Sequence, residues 1–194
     1  MAVARFLEYL ALEKKYSQHT LTAYRKDLTT FSLFCEKTFD LKGLEEVNYS
    51  MIRSWIIALK SQQQSARTIN RKLSSLRSYY KFMVRTQQLT TNPMEEHLPL
   101  KTAKTLQVPY SQDEIRQLLN PERFPDSYEG CLQFTIIALL YYTGIRRQEL
   151  IDITPEGVAA DKRSLKVLGK RNKERIIPVV KELESYLKAY EGAR

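Results

Sequence analysis

Between Ala66 and Thr86 apolar residues return every three or four positions, at Ile69, Leu73, Leu76, Tyr80 and Met83. That period fits an amphipathic helix and not a strand. The same helix carries Arg67, Arg71, Ser74, Ser78, Lys81 and Arg85 at a matching spacing, so it is predicted to bury one stripe and to show a cationic one. Three further stripes precede it. Val3, Phe6, Leu7 and Leu10 form the first. Leu21, Tyr24, Leu28, Phe31 and Cys35 form the second, with Ser17 as the predicted N-cap. Met51 or Ile52, Trp55, Ile56 and Leu59 form the third, with Ser50 as the predicted N-cap. Four such helices bury their stripes against one another, so the first half reads as a helical bundle complete by about residue 95.

The polar surface of that bundle has one sign. No Asp or Glu occurs from Val47 to Met94, while Arg53, Lys60, Arg67, Arg71, Lys72, Arg77, Lys81 and Arg85 all do. A solvated face normally mixes charges. The whole chain has net charge +9, a balance that points to a polyanionic partner. Arg67, Arg71 and Lys81 are placed to meet successive phosphates. Thr68, Asn70, Ser74 and Arg77 are suited to phosphates or base edges, and Thr20, Arg25 and Lys26 add a polar face on the second helix. With 43% apolar residues the chain can form a core, which excludes wholesale disorder. The N-terminus has Arg5 and Glu8 and no apolar signal region, and the run Ile136–Tyr142 is far too short to span a bilayer. The expected setting is the cytoplasm, in association with the nucleoid, with no membrane. Cys35 and Cys131 stand far apart with no CxxC, so buried free thiols are expected and no metal site or disulfide framework.

Asn92-Pro93 ends the bundle, and the stretch to Pro109 has no helical period, so it reads as a linker. Ser111 and Glu114 then form a predicted capping box. Cys131–Tyr142 is apolar nearly all round and is predicted to be a helix buried on most sides. Thr143-Gly144 breaks it, and Arg146–Ile151 starts a new turn. Alternation over 164–168 and 175–179, with a turn at 169–172, predicts a β-hairpin, and a last helix follows. Arg146 thus emerges from a rigid apolar base, which suits a guanidinium meant for bidentate phosphate binding. Glu149 is placed to hold its turn. The hairpin tip gathers Lys170, Arg171, Lys173 and Arg175.

Taken together, "LLYYTGIRRQELIDI" and "LKVLGKRNKERIIPV" resemble the first two motifs of the tyrosine recombinases, the phage-integrase and Xer class. "SQHTLTAYRKDL" and "SARTINRKLSSLRSYYKFM" resemble the helical domain of the same class. The resemblance implies a mainly α fold. Residues 1–97 would be a four-helix-type, SAM-like core-binding domain on DNA, 98–109 the linker, and 110–194 the first, incomplete part of an α+β catalytic domain with its β-hairpin. It also implies that Arg146 clamps the scissile phosphate, that Lys170 protonates the leaving 5′-oxygen, and that Glu149 supports Arg146; Arg171 and Lys173, as cations of the hairpin tip, are expected to touch DNA. The implied reaction is a transesterification without metal or cofactor, through a 3′-phosphotyrosyl link. The implied partner is double-stranded DNA, bound by a tetramer of the full-length protein on paired sites.

The class also needs a His-x-x-Arg motif and a nucleophilic tyrosine after the hairpin. The two histidines here, His19 and His97, both precede Arg146. Tyr186 and Tyr190 follow the hairpin without the intervening motif and read as core or surface residues of the last helix, not as the nucleophile. The expectation is therefore a recombinase fragment that binds DNA without cutting it. The alternative is a naturally short, non-catalytic DNA-binding protein that competes for recombinase sites.

Overall fold

Side-chain caps set where most of the helices begin. The structure, a computed structural model, describes residues 2–103, 106–169 and 173–194. The chain divides into two units, Met1–Thr105 and Leu106–Arg194, and the division falls within the stretch read as linker. Unit 1 holds α1 (Ala2–Leu12), α2 (Gln18–Phe39), α3 (Tyr49–Ser61) and α4 (Ala66–Arg85). Ser17 caps α2 and Ser65 caps α4, each hydroxyl accepting from the N–H three residues on. The start of α3 differs from expectation. Its cap is Asn48, whose Oδ1 accepts from the Met51 N–H at 3.2 Å, while the Ser50 hydroxyl donates to that same Oδ1. Both residue types can cap, and the extended backbone of Asn48 (φ −107°, ψ 172°) starts the helix two residues early.

The four predicted stripes meet in one core. Leu28, Phe31, Ile52, Ile69, Leu76, Tyr80 and Met83 are fully buried there, and the Phe31 and Trp55 rings lie 4.8 Å apart. The Tyr80 hydroxyl is satisfied by donating to the Leu44 carbonyl. Among these apolar side chains sits one buried carboxylate, Asp27 on α2, 1% exposed. It takes both Arg71 Nη atoms, at 2.7 and 3.0 Å, and the Ser75 hydroxyl at 2.8 Å, with Lys72 Nζ at 3.6 Å. Every one of these donors comes from α4, so the cluster fixes α4 against α2 in one register.

After α4 the chain returns across the same unit. Met94 is fully buried. The Arg77 guanidinium donates to the His97 carbonyl at 2.6 Å, and the Asn70 amide makes two hydrogen bonds of 2.9 Å with the Leu100 backbone, one in each direction. His97 is buried against Tyr49, whose hydroxyl lies 3.1 Å from its Nδ1. Burial, and then the charge of Arg77, lowers the His97 pKa. The hydrogen bonds that α4 makes to this returning segment therefore extend as far as Leu100.

Unit 2 holds α5 (Gln112–Leu118), α6 (Tyr128–Thr143), α7 (Arg147–Ile151), β1 (Ser164–Gly169), β2 (Lys173–Pro178) and α8 (Lys181–Ala193). The capping box at α5 forms as predicted: Ser111 Oγ accepts from the Glu114 N–H, and Glu114 Oε2 from the Ser111 N–H. β1 and β2 pair antiparallel, with Leu165 opposite Ile177 and Val167 opposite Arg175. Leu165 and Val167 point into a core with Phe134, Ala138, Leu139, Ile145, Leu183 and Leu187. α6 is less enclosed than its composition suggested. Phe134, Thr135, Ala138 and Leu139 are buried, whereas Ile136, Leu140 and Tyr141 are exposed. The hairpin and α8 cover one side of it, and uniform hydrophobicity does not reveal which side is covered. Cys35 is a buried free thiol as expected, while Cys131 is only half-buried. Among the described residues, no helix is long and apolar enough to cross a membrane.

Asp27→Ala would strand Lys72 and leave Arg71 without its partner. A loss of about 3–5 kcal/mol is expected, as for other broken buried ion pairs. Urea unfolding read through Trp55, the single tryptophan and a core residue of unit 1, measures it. An unchanged midpoint would show that the carboxylate does not hold α2 to α4.

Candidate nucleic-acid interface

In unit 1 the polar residues singled out by sequence fall into three groups. Thr20 and Thr68 lie in the first turns of α2 and α4, and their hydroxyls sit 2.9 and 3.0 Å from the cap hydroxyls of Ser17 and Ser65. Arg25, Lys26, Arg67, Ser74 and Lys81 are exposed. Ser74 donates to the Asn70 carbonyl, one turn back on its own helix. Among the described residues, Arg67 and Lys81 make no ion pair, so their full charge faces solvent. Asn70, Arg71 and Arg77 are engaged within the protein: Asn70 with Leu100, Arg77 with His97, Arg71 with Asp27. Arg71 still exposes about half of its side chain (52%), so its outer edge remains accessible. Arg85 is held by the Tyr9 hydroxyl at 2.6 Å, with its guanidinium over the Tyr9 ring. The acid-free block thus has two physical origins. Part of it faces solvent, and part is neutralised by an acid from outside the block.

In unit 2 the chain builds a rigid mount for one arginine. α6 ends at Thr143, whose hydroxyl returns to the Leu139 carbonyl. Gly144 then turns the chain at φ +59°, a left-handed conformation that glycine adopts at no steric cost, and its N–H donates to the Leu140 carbonyl. Ile145 is buried and anchors the turn. Arg146, extended at φ −76° and ψ 150°, is the residue before α7. Its side chain is 66% exposed although its neighbours Ile145 and Glu149 are buried. Arg147 beside it is exposed and lies on the surface.

Glu149, 4% exposed, is the hub of this site. Its Oε2 accepts from the Arg146 N–H at 2.8 Å and from Arg175 Nη2 at 2.7 Å. Its Oε1 accepts from Arg146 Nη1 at 2.7 Å and from Arg175 Nη1 at 2.6 Å. By sequence Arg175 groups with the hairpin-tip cations, and this partnership is not evident there. Arg175 stands opposite Val167, whose side chain is in the core, and this register turns it inward. Gly169 permits the close approach, because a Cβ there would lie 3.2–3.3 Å from the Lys173 carbonyl oxygen, Arg175 Nη1 and Glu149 Oε1. Lys173 is exposed at the start of β2. Lys170 and Arg171 lie outside the described residues. Among the described residues no group of His, Cys, Asp or Glu gathers in a way that could hold a metal ion.

The hydrogen bonds from Arg175, then that of the Arg146 N–H, hold the Glu149 carboxyl down at about 2 against the opposing effect of burial. An unfolded glutamate titrates near ~4.3. The charged carboxylate therefore stabilises the fold fully above that pH, and this contribution is lost as pH falls toward 2. Glu149→Gln is expected to flatten the acid limb of stability between pH ~5 and ~2. Hydrogen exchange at the Leu165 and Val167 amides reads it, and parallel acid limbs for the two proteins would refute the assignment.

Comparison with known proteins matches both halves of the chain. Residues 3–87 match the model of the phage integrase N-terminal SAM-like domain, and residues 109–194 match that of the phage integrase family. The tyrosine recombinase XerC of Anoxybacillus flavithermus is 37% identical over 174 residues, covering 89% of this chain and 57% of that protein. The tyrosine recombinase XerD of Rickettsia bellii is 33% identical, covering 95% of this chain and 63% of that protein. The chain thus spans about three-fifths of the length of these curated relatives. Among solved structures, the Tn1549 transposon integrase in complex with a circular intermediate DNA shares the fold at a TM-score of 0.74 and 16% identity, over 100% of this chain and 65% of that one. A lambda integrase dimer bound to a core site does so at 0.67 and 19%, over 91% and 60%. With both domain models matched in order and Xer relatives aligned along most of its length, the chain belongs to the phage integrase family of tyrosine recombinases.

Proposed function

We propose that these 194 residues are the DNA-gripping and phosphate-clamping part of a site-specific tyrosine recombinase. The observation that carries this reading is Arg146, whose exposed side chain stands on a buried apolar turn and whose guanidinium is tethered to Glu149 through one nitrogen. A guanidinium held this way offers its remaining N–H groups to two oxygens of one phosphate, with little to reorganise as charge builds up in a pentacoordinate transition state. Unit 1 acts as the core-binding domain, gripping duplex DNA through Arg67, Lys81, Arg25, Lys26 and the outer edge of Arg71. Unit 2 is the opening part of the catalytic domain.

In the full-length reaction a tyrosine oxygen attacks the phosphorus, a 3′-phosphotyrosyl bond forms, and the bond to the 5′-oxygen breaks. Lys170 donates the proton that the 5′-oxygen needs to leave. Arg146 binds the non-bridging oxygens throughout. The partner is double-stranded DNA in the cytoplasm, and the working assembly is a tetramer on paired sites, in keeping with the lambda integrase tetramer bound to a Holliday junction, which shares this fold. These residues alone bind without cutting. Two contacts support this reading for the tyrosines after the hairpin: Tyr186 packs edge-on against Phe134 at 4.7 Å, and the Tyr190 hydroxyl lies 3.1 Å from that of Tyr128. The same geometry serves the alternative, a short DNA-binding protein that competes for recombinase sites.

Two measurements test this. Duplex binding should weaken with salt by about 0.9 log units in K per log unit of salt for each phosphate neutralised, and Arg67→Ala and Lys81→Ala should each flatten that slope by about one such contact. Slopes that do not move would place the contacts elsewhere. A suicide DNA substrate should yield no covalent adduct with this chain, and an adduct mapped to Tyr186 or Tyr190 would overturn the assignment of those residues to packing.

A further inference from the structure

The Glu149 carboxylate is saturated. A carboxylate offers about four acceptor positions, two on each oxygen. Here all four are used: Arg146 takes one on each oxygen, through its N–H and its Nη1, and Arg175 takes one on each oxygen through its two Nη atoms. One negative charge therefore serves two guanidiniums, and the cluster keeps a net positive charge. Arg175 comes from β2, whereas Arg146 and Glu149 come from the turn and helix that follow α6, so this carboxylate also joins the hairpin to the arginine mount.

We propose that Arg175 is a positioning residue for the Arg146 phosphate site, acting through Glu149. By filling one acceptor position on each oxygen, Arg175 restricts the Arg146 guanidinium to a single tether. Without Arg175, Glu149 would have room to take a second nitrogen of Arg146. The result would be a two-pronged internal ion pair, the geometry that a phosphate needs for itself. Arg175 thus keeps the Arg146 fork turned outward, and it holds the strand after the hairpin tip against α7. This inference rests on the reading of Arg146 as a phosphate ligand.

The test uses the whole chain with a duplex oligonucleotide and four proteins: wild type, Arg175→Ala, Arg146→Ala and the double variant. Arg175→Ala is expected to weaken binding about fivefold in the wild-type background and less than about twofold in the Arg146→Ala background, because both substitutions act on one contact. If Arg175 touched DNA itself, the two effects would multiply and the double variant would lose a further phosphate from its salt slope; that result overturns the proposal. A second readout needs no DNA. The carbon-13 shift of the Glu149 carboxyl should titrate near 2 in wild type and closer to the ordinary glutamate range in Arg175→Ala, with Arg175→Lys, which keeps the charge but not the fork, in between. A titration that stays near 2 in Arg175→Ala refutes the link to Glu149 whatever the affinity does. If wild type fails to bind duplex at all, the functional reading falls, while the titration still decides whether Arg175 governs Glu149.

Discussion

One buried carboxylate in each unit holds together elements that the rest of the structure depends on. A chain with net charge +9 has more cations than its acids can pair, so where its few acids are buried matters. Asp27 gathers Arg71, Lys72 and Ser75 and locks α4 onto α2. Glu149 gathers Arg146 and Arg175 and locks the hairpin onto the turn after α6. In both places the acid is nearly inaccessible and at least one cation keeps an exposed edge. The interior thus supplies the counter-charge, and the surface keeps the positive potential. That arrangement suits a protein whose proposed partner carries a negative charge at regular intervals along its backbone.

The helices were largely legible in the sequence. The stripes at Leu21–Cys35 and Ile69–Met83 are buried as their period predicts, and the Ser111–Glu114 capping box forms. These signals are local, and a period of 3.6 allows few alternatives over twenty residues. The misreadings came from choices between equivalent residues or between faces. Asn48 and Ser50 can both cap, and an all-apolar helix such as α6 carries no mark of its covered side. Asp27 was hidden in plain view. It lies three residues after Tyr24 and four before Phe31, on the buried stripe, and a lone acid there signals a partner on a neighbouring helix.

Of the candidate site, the sequence suggests residues but not their relations. Arg146 and Glu149 are three apart, so their pairing was expected from spacing. Arg175 is 26 residues from Glu149, and their contact depends on the register of the hairpin, which a one-residue slip would reverse. For the same reason, an acid-free block of sequence does not equal an acid-free surface. Asn70, Arg71 and Arg77 carry the residue types of a nucleic-acid face, yet each spends hydrogen bonds inside the protein.

The pairing of Asn70 with Leu100 bears on where the first unit can be cut. The amide imitates a strand, giving and taking one hydrogen bond with the backbone of an otherwise irregular segment. A fragment ended at residue 97, where the helical pattern has run out, would discard that backbone and leave a part-buried amide with neither of its partners. The His97 carbonyl that receives Arg77 would become a chain terminus. An independently folding first unit is better drawn through Leu100, because its last structural element is not a helix but a short stretch of chain held by side chains of α4.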